Sequence, residues 1–160
     1  VVDKIAEVIR RERGRSLDLV LALDTTKSME NDVPHLRASL VPLLEEEIAG
    51  FSSFRIGMVY YKDYLEDYLT QTVEFQDDLS VVQRAIDGVR VRGGRDLPEA
   101  VHEALYAAAT NFPWQAESRL VILIGDAPPH SRPRGSITRG MVYSEAAGRD
   151  VTIHTMILPP

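Results

Sequence analysis

Hydrophobic residues fall into short runs along the chain, and polar loops separate the runs. The most apolar runs cover residues 17–23, 54–61 and 120–124. Each is far shorter than the roughly 20 residues that cross a bilayer, and their largely apolar character is typical of strands buried on both faces of a sheet. Residues 151–158 predict the final strand. Residues 69–75 alternate between apolar and polar side chains, which predicts a strand at the edge of the same sheet.

Between these runs, apolar residues recur every three or four positions, which predicts amphipathic helices. The longest series is Val33, Leu36, Leu40, Leu44 and Ile48. Pro42 lies inside that series, so we expect a kink or a break there. Further helical series cover residues 2–13, 82–89, 101–112 and 136–148. Start signals for the last three of these are Asp77 or Asp78, Pro98 and Ser136.

The order of these elements predicts one α/β domain. Buried strands that alternate with helices form a doubly wound, mostly parallel central sheet with helices on both faces. In this chain we expect one antiparallel edge strand, at residues 69–75. Because crossovers are right-handed, the strand at 17–23 should lie in the middle of the sheet, beside the strand at 120–124. We predict an N-terminal helix over residues 1–15 and the α/β domain over residues 16–160.

Composition narrows the class of protein further. The 160 residues carry a net charge of −6, which disfavours nucleic-acid binding through a basic surface. There is no cysteine, so disulfides, thiolate metal sites and cysteine nucleophiles are excluded. The first residues, VVDKIAEVIRRERGR, lack the uncharged core of a signal peptide, and no run is long enough for direct insertion into a membrane.

Oxygen-bearing side chains gather at the predicted carboxyl ends of the strands, the edge at which open α/β sheets bind ligands. They are Asp24, Thr26, Ser28, Asp96 and Asp126. The first three follow the strand at 17–23, Asp96 follows a pair of glycines, and Asp126 ends the run at 120–124. Because neighbouring strands lie about 4.8 Å apart, we expect Asp24 and Asp126 to face one crevice.

Two interpretations of these aspartates are open from the residues alone. In the first, each aspartate caps the helix that follows it. In the second, the carboxylates share one pocket, where their repulsion would cost several kcal/mol unless a divalent cation compensates it. Mg²⁺ prefers an all-oxygen shell, so carboxylates combined with two hydroxyls in one loop favour a metal site.

The loops that carry these residues resemble, in the same order, the metal-site motifs of the von Willebrand factor type A (vWA) domain. Residues 24–28, Asp-Thr-Thr-Lys-Ser, match Asp-x-Ser-x-Ser with threonine in the middle place. Residues 93–100, Gly-Gly-Arg-Asp-Leu-Pro-Glu-Ala, are similar to Gly-Gly-Gly-Asp-x-Pro-Glu-Ala. Residues 124–130, Ile-Gly-Asp-Ala-Pro-Pro-His, resemble the Thr-Asp-Ala-Pro-Pro-His variant of the third motif. Together with residues 59–64, these variants resemble the branch found in alpha-type kinases and hemicentin-like proteins.

The resemblance implies a Rossmann-like fold and a metal-ion-dependent adhesion site (MIDAS) for magnesium, or for calcium or manganese. On the family pattern, Thr26 and Ser28 are direct ligands, and Asp24 and Asp126 bind directly or through water. The second loop contributes Asp96. One coordination position receives an acidic residue of a protein ligand, so the resemblance implies an adhesion-type, non-catalytic module for protein–protein interaction.

Three features depart from the family pattern. Asp96 stands where many adhesion-type members have threonine, and a third aspartate would weaken the attraction of the ion for an anionic partner. Lys27 stands where glycine is usual, and we expect it to point to solvent, with partner contact or replacement of the cation as alternatives. The sequence stops before the usual last strand and helix, so either the N-terminal helix covers the sheet face left bare or the sequence ends early.

Other functions are alternatives to this interpretation. The first alternative is a scaffold that has a degenerate metal site and binds its partner through another surface. The departures from the family pattern at Lys27 and Asp96 leave this alternative open. A haloacid-dehalogenase-like phosphatase also ends two strands in aspartate, but it needs a second acid where this chain has Thr26. The sequence has no Gly-x-Ser-x-Gly elbow and no Gly-x-x-x-x-Gly-Lys loop, which disfavours serine hydrolases and P-loop enzymes. We therefore expect no enzymatic activity.

Overall fold

The computed structural model describes residues 1–94 and 99–159, and a five-stranded sheet lies at its centre. The strands are β1 (Ser16–Asp24), β2 (Ser53–Tyr61), β3 (Thr70–Gln76), β4 (Ser118–Gly125) and β5 (Thr152–Ile157). The helices are α1 (Val2–Arg11), α2 (Val33–Ile48), α3 (Leu79–Asp87), α4 (Val101–Thr110) and α5 (Arg139–Gly148). A short 3-10 turn, Lys27–Glu30, follows β1.

The sheet has the order β3-β2-β1-β4-β5, with β1 in the middle. β1 pairs in parallel with β2 and β4, β4 pairs in parallel with β5, and β3 is antiparallel at the edge. The predicted α/β class, the mostly parallel sheet and the antiparallel edge strand are confirmed. In the β1–β4 register Leu23 lies opposite Ile124, so the loops that follow the two strands begin side by side.

Two apolar clusters hold helices on both faces of the sheet. Alternate residues of a strand point to opposite faces. Leu17, Leu19 and Leu21 of β1 belong to the cluster that includes α1, α2 and α3, whereas Val20 and Ala22 belong to the cluster that includes α4 and α5. All five side chains are at most 1% exposed, so β1 is buried on both faces, as its apolar run predicts.

The N-terminal helix is part of the first apolar cluster. Ile5 and Ile9 of α1 are fully buried there, and α1 packs against α2. This helix ends at Arg11, two residues earlier than the helical pattern of the sequence. The division of the chain at residues 1–15 and 16–160 stays a prediction.

Two helices differ in detail from the predictions. α2 is continuous across Pro42, so the helix does not break there, because its buried apolar face holds it on the sheet despite the lost backbone donor. The alternative, a kink at Pro42, stays a prediction. The cap of α5 is Thr138, whose hydroxyl accepts from the Met141 N–H at 3.2 Å, so the prediction of Ser136 as the cap is wrong. The helix consequently begins at Arg139.

The sequence also predicts where α3 and α4 begin. Asp78 caps α3 as predicted, because its carboxylate accepts from the Ser80 N–H at 2.9 Å. α4 begins at Val101, and Pro98, which we expected in its first turn, lies outside the described residues. In the described part of the chain, no helix combines the length and the apolar character that a membrane span requires.

An ion pair whose carboxylate is buried joins the first part of β1 to β2. The Asp18 carboxylate is 1% exposed and accepts from the Arg55 guanidinium at 2.8 and 2.6 Å. It also accepts from the backbone N–H groups of Gln115 and Ala116, at 2.8 and 2.9 Å. Burial raises the pKa of Asp18, but the hydrogen bonds and the charge of Arg55 outweigh it, so the pKa is lowered overall.

We expect Asp18→Asn to lower the free energy of unfolding by about 2 kcal/mol at pH 7, because asparagine loses the ionic hydrogen bonds. Since the pKa of Asp18 is lowered in the folded state, the difference should shrink as the pH falls below about 4. Urea denaturation of both proteins measures it, with exposed Asp77→Asn as the control. Equal stability of Asp18→Asn and the parent at pH 7 would contradict the prediction.

Candidate functional site

The Asp24 carboxylate organises the loop that follows β1. Its Oδ1 atom accepts from the Thr26 backbone N–H at 2.8 Å and from the Thr26 hydroxyl at 2.7 Å. The Thr26 Oγ1 atom lies 3.0 Å from Ser28 Oγ. Three oxygen-bearing side chains at alternate positions thus lie close together, because the chain turns from a strand into the short 3-10 turn between them.

Asp126 joins this group from the neighbouring strand. It follows β4, and its Oδ1 atom accepts from the Ser28 hydroxyl at 2.9 Å. The two residues are 98 positions apart in the sequence and meet because β1 and β4 pair in parallel. The structure therefore brings together Asp24, Thr26, Ser28 and Asp126, which we call the oxygen cluster. Asp96, the fifth predicted ligand, lies outside the described residues.

One oxygen of the cluster is buried without a hydrogen bond. Asp24 is 0% exposed, and among the described residues its Oδ2 atom has no hydrogen-bond partner. Burial raises the pKa of Asp24 to about 6, and the nearby Asp126 carboxylate adds to the increase, while the hydrogen bonds from Thr26 oppose it. Ionised Asp24 is consequently an unfavourable charge that a cation would compensate.

Tyr61 and Gly125 form the floor behind this carboxylate. Asp24 lies opposite Tyr61 in the β1–β2 register, and the buried Tyr61 hydroxyl has no hydrogen-bond partner in the described part of the chain. A Cβ atom on Gly125 would lie 2.3 Å from Tyr61 Oη and 3.2 Å from Asp24 Cβ, so only glycine fits before Asp126. Burial, and then the Asp24 charge, hold the pKa of Tyr61 well above its ordinary value, so the phenol stays protonated.

A glycine turn packs against the outer side of the oxygen cluster. Gly93 and Gly94 have φ values of +79° and +84°, the left-handed region that glycine adopts readily. The Gly93 carbonyl accepts from the Lys27 N–H at 3.0 Å, and a Cβ on Gly94 would lie 3.0 Å from Thr26 Cβ. The second predicted loop therefore docks directly onto the first. Lys27 itself is exposed, in agreement with the expectation that it points to solvent.

Two interactions between loops near the site could not be predicted from the sequence. The His130 side chain, in the loop after Asp126, is only 9% exposed, and its Nε2 atom lies 2.6 Å from Asp63 Oδ1. Lys62, beside Asp63, is fully buried and donates to the Arg92 carbonyl at 2.7 Å. Both pairs join loops that are far apart in the chain, so periodicity and local motifs give no signal for them.

The oxygen cluster contains only two acidic side chains, those of Asp24 and Asp126, and its other two members are hydroxyls. Within residues 1–94 and 99–159, no three His, Cys, Asp or Glu side chains are grouped so that they could hold a metal ion. The cluster offers two carboxylates and two hydroxyls instead, and such oxygens suit a hard divalent cation that also keeps water ligands. Metal binding by the predicted residues stays a prediction.

Comparisons with known proteins support the fold and leave the family open. No family model matches the chain. The chain is 28% identical over 116 residues to an ariadne-like RING finger protein of Acanthamoeba polyphaga mimivirus, and 28% identical over 118 residues to the alpha-protein kinase vwkA of Dictyostelium discoideum. These matches cover 72% and 71% of this chain, but the chain spans only 11% and 19% of the two relatives.

Solved structures share the architecture at low sequence identity. The pilus adhesin SpaC of Lactobacillus rhamnosus GG matches 74% of this chain and 15% of its own, with a TM-score of 0.56 and 16% identity. An aerotolerance-related membrane protein of Bacteroides fragilis matches 88% of this chain and 67% of its own, with a TM-score of 0.58 and 16% identity. These similarities establish the Rossmann-like α/β fold.

Proposed function

We propose that the chain is a vWA-like module that binds a protein partner through a divalent cation and catalyses no reaction. The observation that carries this proposal is the Oδ2 atom of Asp24, a fully buried carboxylate oxygen without a hydrogen-bond partner among the described residues. Uncompensated buried charge is unfavourable, and the oxygens beside it belong to ligand types that magnesium uses.

The residues present fit magnesium, or calcium or manganese. The two hydroxyls, on Thr26 and Ser28, are adjacent to each other, and each is hydrogen-bonded to one of the two carboxylates, on Asp24 and Asp126. When bound, the ion supplies positive charge to which an acidic side chain of a partner can be attracted. The protein residues hold the ion at the carboxyl edge of the sheet, where the partner can reach it through the exposed Ser28.

The resemblance and the comparisons support the same proposal. The three motif-bearing loops occur in vWA order. The first and the third meet in the Ser28–Asp126 hydrogen bond, and Gly93 of the second loop accepts a hydrogen bond from the backbone of Lys27 in the first. One protein of similar fold is a pilus adhesin, and one relative is an alpha-protein kinase. Because the chain spans a small part of that kinase, we propose the binding function for this chain alone.

Calorimetric titration with Mg²⁺ tests the proposal. The parent should bind the ion, and Ser28→Ala should weaken binding roughly tenfold or more, because it removes one ligand and the hydrogen bond to Asp126. Ser39→Ala, the same substitution on α2, is the matched control and should bind like the parent. Parallel titrations with Ca²⁺ and Mn²⁺ identify the preferred ion.

Two results would support the alternatives. If the parent binds none of the three ions, the site is degenerate and the scaffold function replaces the proposal. If the domain releases phosphate from a generic phosphomonoester, and Asp24→Asn abolishes the release, the phosphatase alternative is favoured. Magnesium binding that Ser28→Ala leaves unchanged would place the ion elsewhere in the chain.

A further inference from the structure

Leu65 combines strong exposure with an unusual backbone conformation. It lies in the loop between β2 and β3 (residues 62–69), is 84% exposed and has a φ of +69°. A single exposed leucine is ordinary on a protein surface. A left-handed backbone is not ordinary for leucine, because Cβ crowds the following carbonyl there, and glycine or asparagine adopts it more readily. The leucine side chain therefore adds little to the core and opposes the conformation in which it is held.

The residues before Leu65 fix the loop to the body of the domain. Asp63 Oδ1 lies 2.6 Å from His130 Nε2, and both side chains are almost completely buried. The Tyr64 hydroxyl donates to Glu103 on α4 at 2.6 Å. The loop is thus attached both to the segment after β4 and to a helix.

The residues after this leucine fix the other side of the loop. The Glu66 carboxylate accepts from the Gly94 N–H at 3.0 Å. The Asp67 carboxylate lies 3.0 Å from the ammonium of the buried Lys62 and 2.7 Å from the Arg92 guanidinium. Because both flanks are held by hydrogen bonds and ion pairs, the exposure of this leucine is not that of a loose loop tip.

The held loop lies beside the oxygen cluster. Glu66, the next residue after Leu65, contacts Gly94, and Gly94 packs against Thr26 so closely that a Cβ atom there would lie 3.0 Å from Thr26 Cβ. Thr25 in the first loop also contacts the same β2–β3 loop, because its hydroxyl lies 2.5 Å from Tyr68 Oη. The loop that carries this exposed leucine is therefore joined to the loop of the candidate metal ligands through Gly94 and Thr25.

We propose that Leu65 is an apolar anchor of the partner-binding surface, and that the partner carries an apolar pocket or patch next to its metal-binding acidic residue. The inference rests on the proposed function, since the cation defines where the partner lies. Protein interfaces draw most of their affinity from a few side chains that become buried, and a rigid anchor loses little conformational entropy on binding. Backbone strain that persists without a structural benefit points to such a function.

A displayed library of short random peptides tests the anchor. The parent domain, loaded with Mg²⁺, is used to select peptides that EDTA releases, and their affinities are then measured on variants. Leu65→Asn keeps a residue that tolerates the left-handed backbone and removes the apolar side chain. We expect the selected peptides to carry an acidic residue next to apolar ones, and Leu65→Asn to weaken their binding roughly tenfold or more while magnesium affinity is unchanged.

The controls separate this inference from the proposed function. Met141→Gln changes an exposed apolar residue on α5 and should leave peptide binding unchanged. Peptides that EDTA releases but that bind Leu65→Asn as tightly as the parent would overturn the anchor and leave the metal-dependent function intact. Failure to recover any EDTA-released peptide, or equal binding to Ser28→Ala, would overturn the metal-dependent function and the anchor with it.

Discussion

Between pH 4 and pH 7, the free energy of unfolding of metal-free Asp24→Asn should increase relative to that of the parent by about 3 kcal/mol. Asparagine has almost the same shape and keeps the oxygen that accepts from Thr26, but it carries no charge. The parent must instead hold an ionised carboxylate in a buried place next to Asp126. Removal of the charge therefore removes an unfavourable interaction that only the folded state contains.

The direction follows from the two pKa values of Asp24. The ordinary value is 3.8, and burial raises it to about 6 in the folded domain. A group whose pKa is raised on folding contributes stability below its unfolded value, and this contribution is lost as the pH rises through the folded value. The parent should consequently lose stability between pH 4 and pH 7, whereas the asparagine variant lacks this component.

Denaturant unfolding in EDTA at several pH values measures the difference. Asp18→Asn is the matched control with the opposite sign, because the pKa of Asp18 is lowered on folding and that variant should be less stable than the parent at pH 7. If the stability difference between Asp24→Asn and the parent does not change between pH 4 and pH 7, Asp24 is not the strained carboxylate that the structure indicates.

Magnesium should stabilise the folded domain, and Asp126→Ala should remove the effect. A ligand that binds only the folded state raises the free energy of unfolding by about 2.7 kcal/mol at 100 times its Kd. The oxygen cluster exists only in the folded state, because Ser28 and Asp126 are brought together by strand pairing. Alanine at 126 deletes one carboxylate and the acceptor for the Ser28 hydroxyl.

Thermal unfolding with increasing Mg²⁺ measures this coupling, and NaCl at matched ionic strength corrects for screening. Asp77→Ala, an exposed residue before α3, is the control and should keep the full stabilisation. A melting temperature that rises equally for the parent and for Asp126→Ala would show that magnesium acts elsewhere on the surface.

Much of the fold could be predicted because it depends on patterns that are local in the sequence. The continuous apolar run of β1 indicates burial on both faces, and the alternation in β3 indicates an edge strand, as the sheet confirms. Helix ends were less predictable. Ser136 and Thr138 are both good capping residues, and the difference between them is made by which hydroxyl reaches a backbone N–H after packing.

The candidate site could be predicted as far as strand adjacency determines it. Asp24 and Asp126 meet because parallel neighbours end at the same edge of a sheet, and the alternate spacing of Thr26 and Ser28 puts both hydroxyls beside them. The burial of Asp24 and the position of the Tyr61 hydroxyl behind it could not be predicted, because they depend on side-chain packing across β2.

Contacts between loops could not be predicted from the sequence either. The Asp63–His130 pair joins residues 67 positions apart, and the Lys62 ammonium reaches a carbonyl 30 positions away. Charged residues in loops are usually solvated, so nothing in the local sequence marks these as buried partners. The left-handed backbone conformation of Leu65 could not be predicted either, because leucine favours negative φ values.

The distance in sequence between Ser28 and Asp126 also bears on how damaged copies of the domain behave. Each residue comes from a different half of the polypeptide, and their hydrogen bond closes a span of 98 positions. A copy that is only partly folded, in which β1 and β4 are not paired, loses this hydrogen bond and with it the oxygen cluster. The oxygen cluster is therefore complete only in copies of the domain in which β1 and β4 are correctly paired.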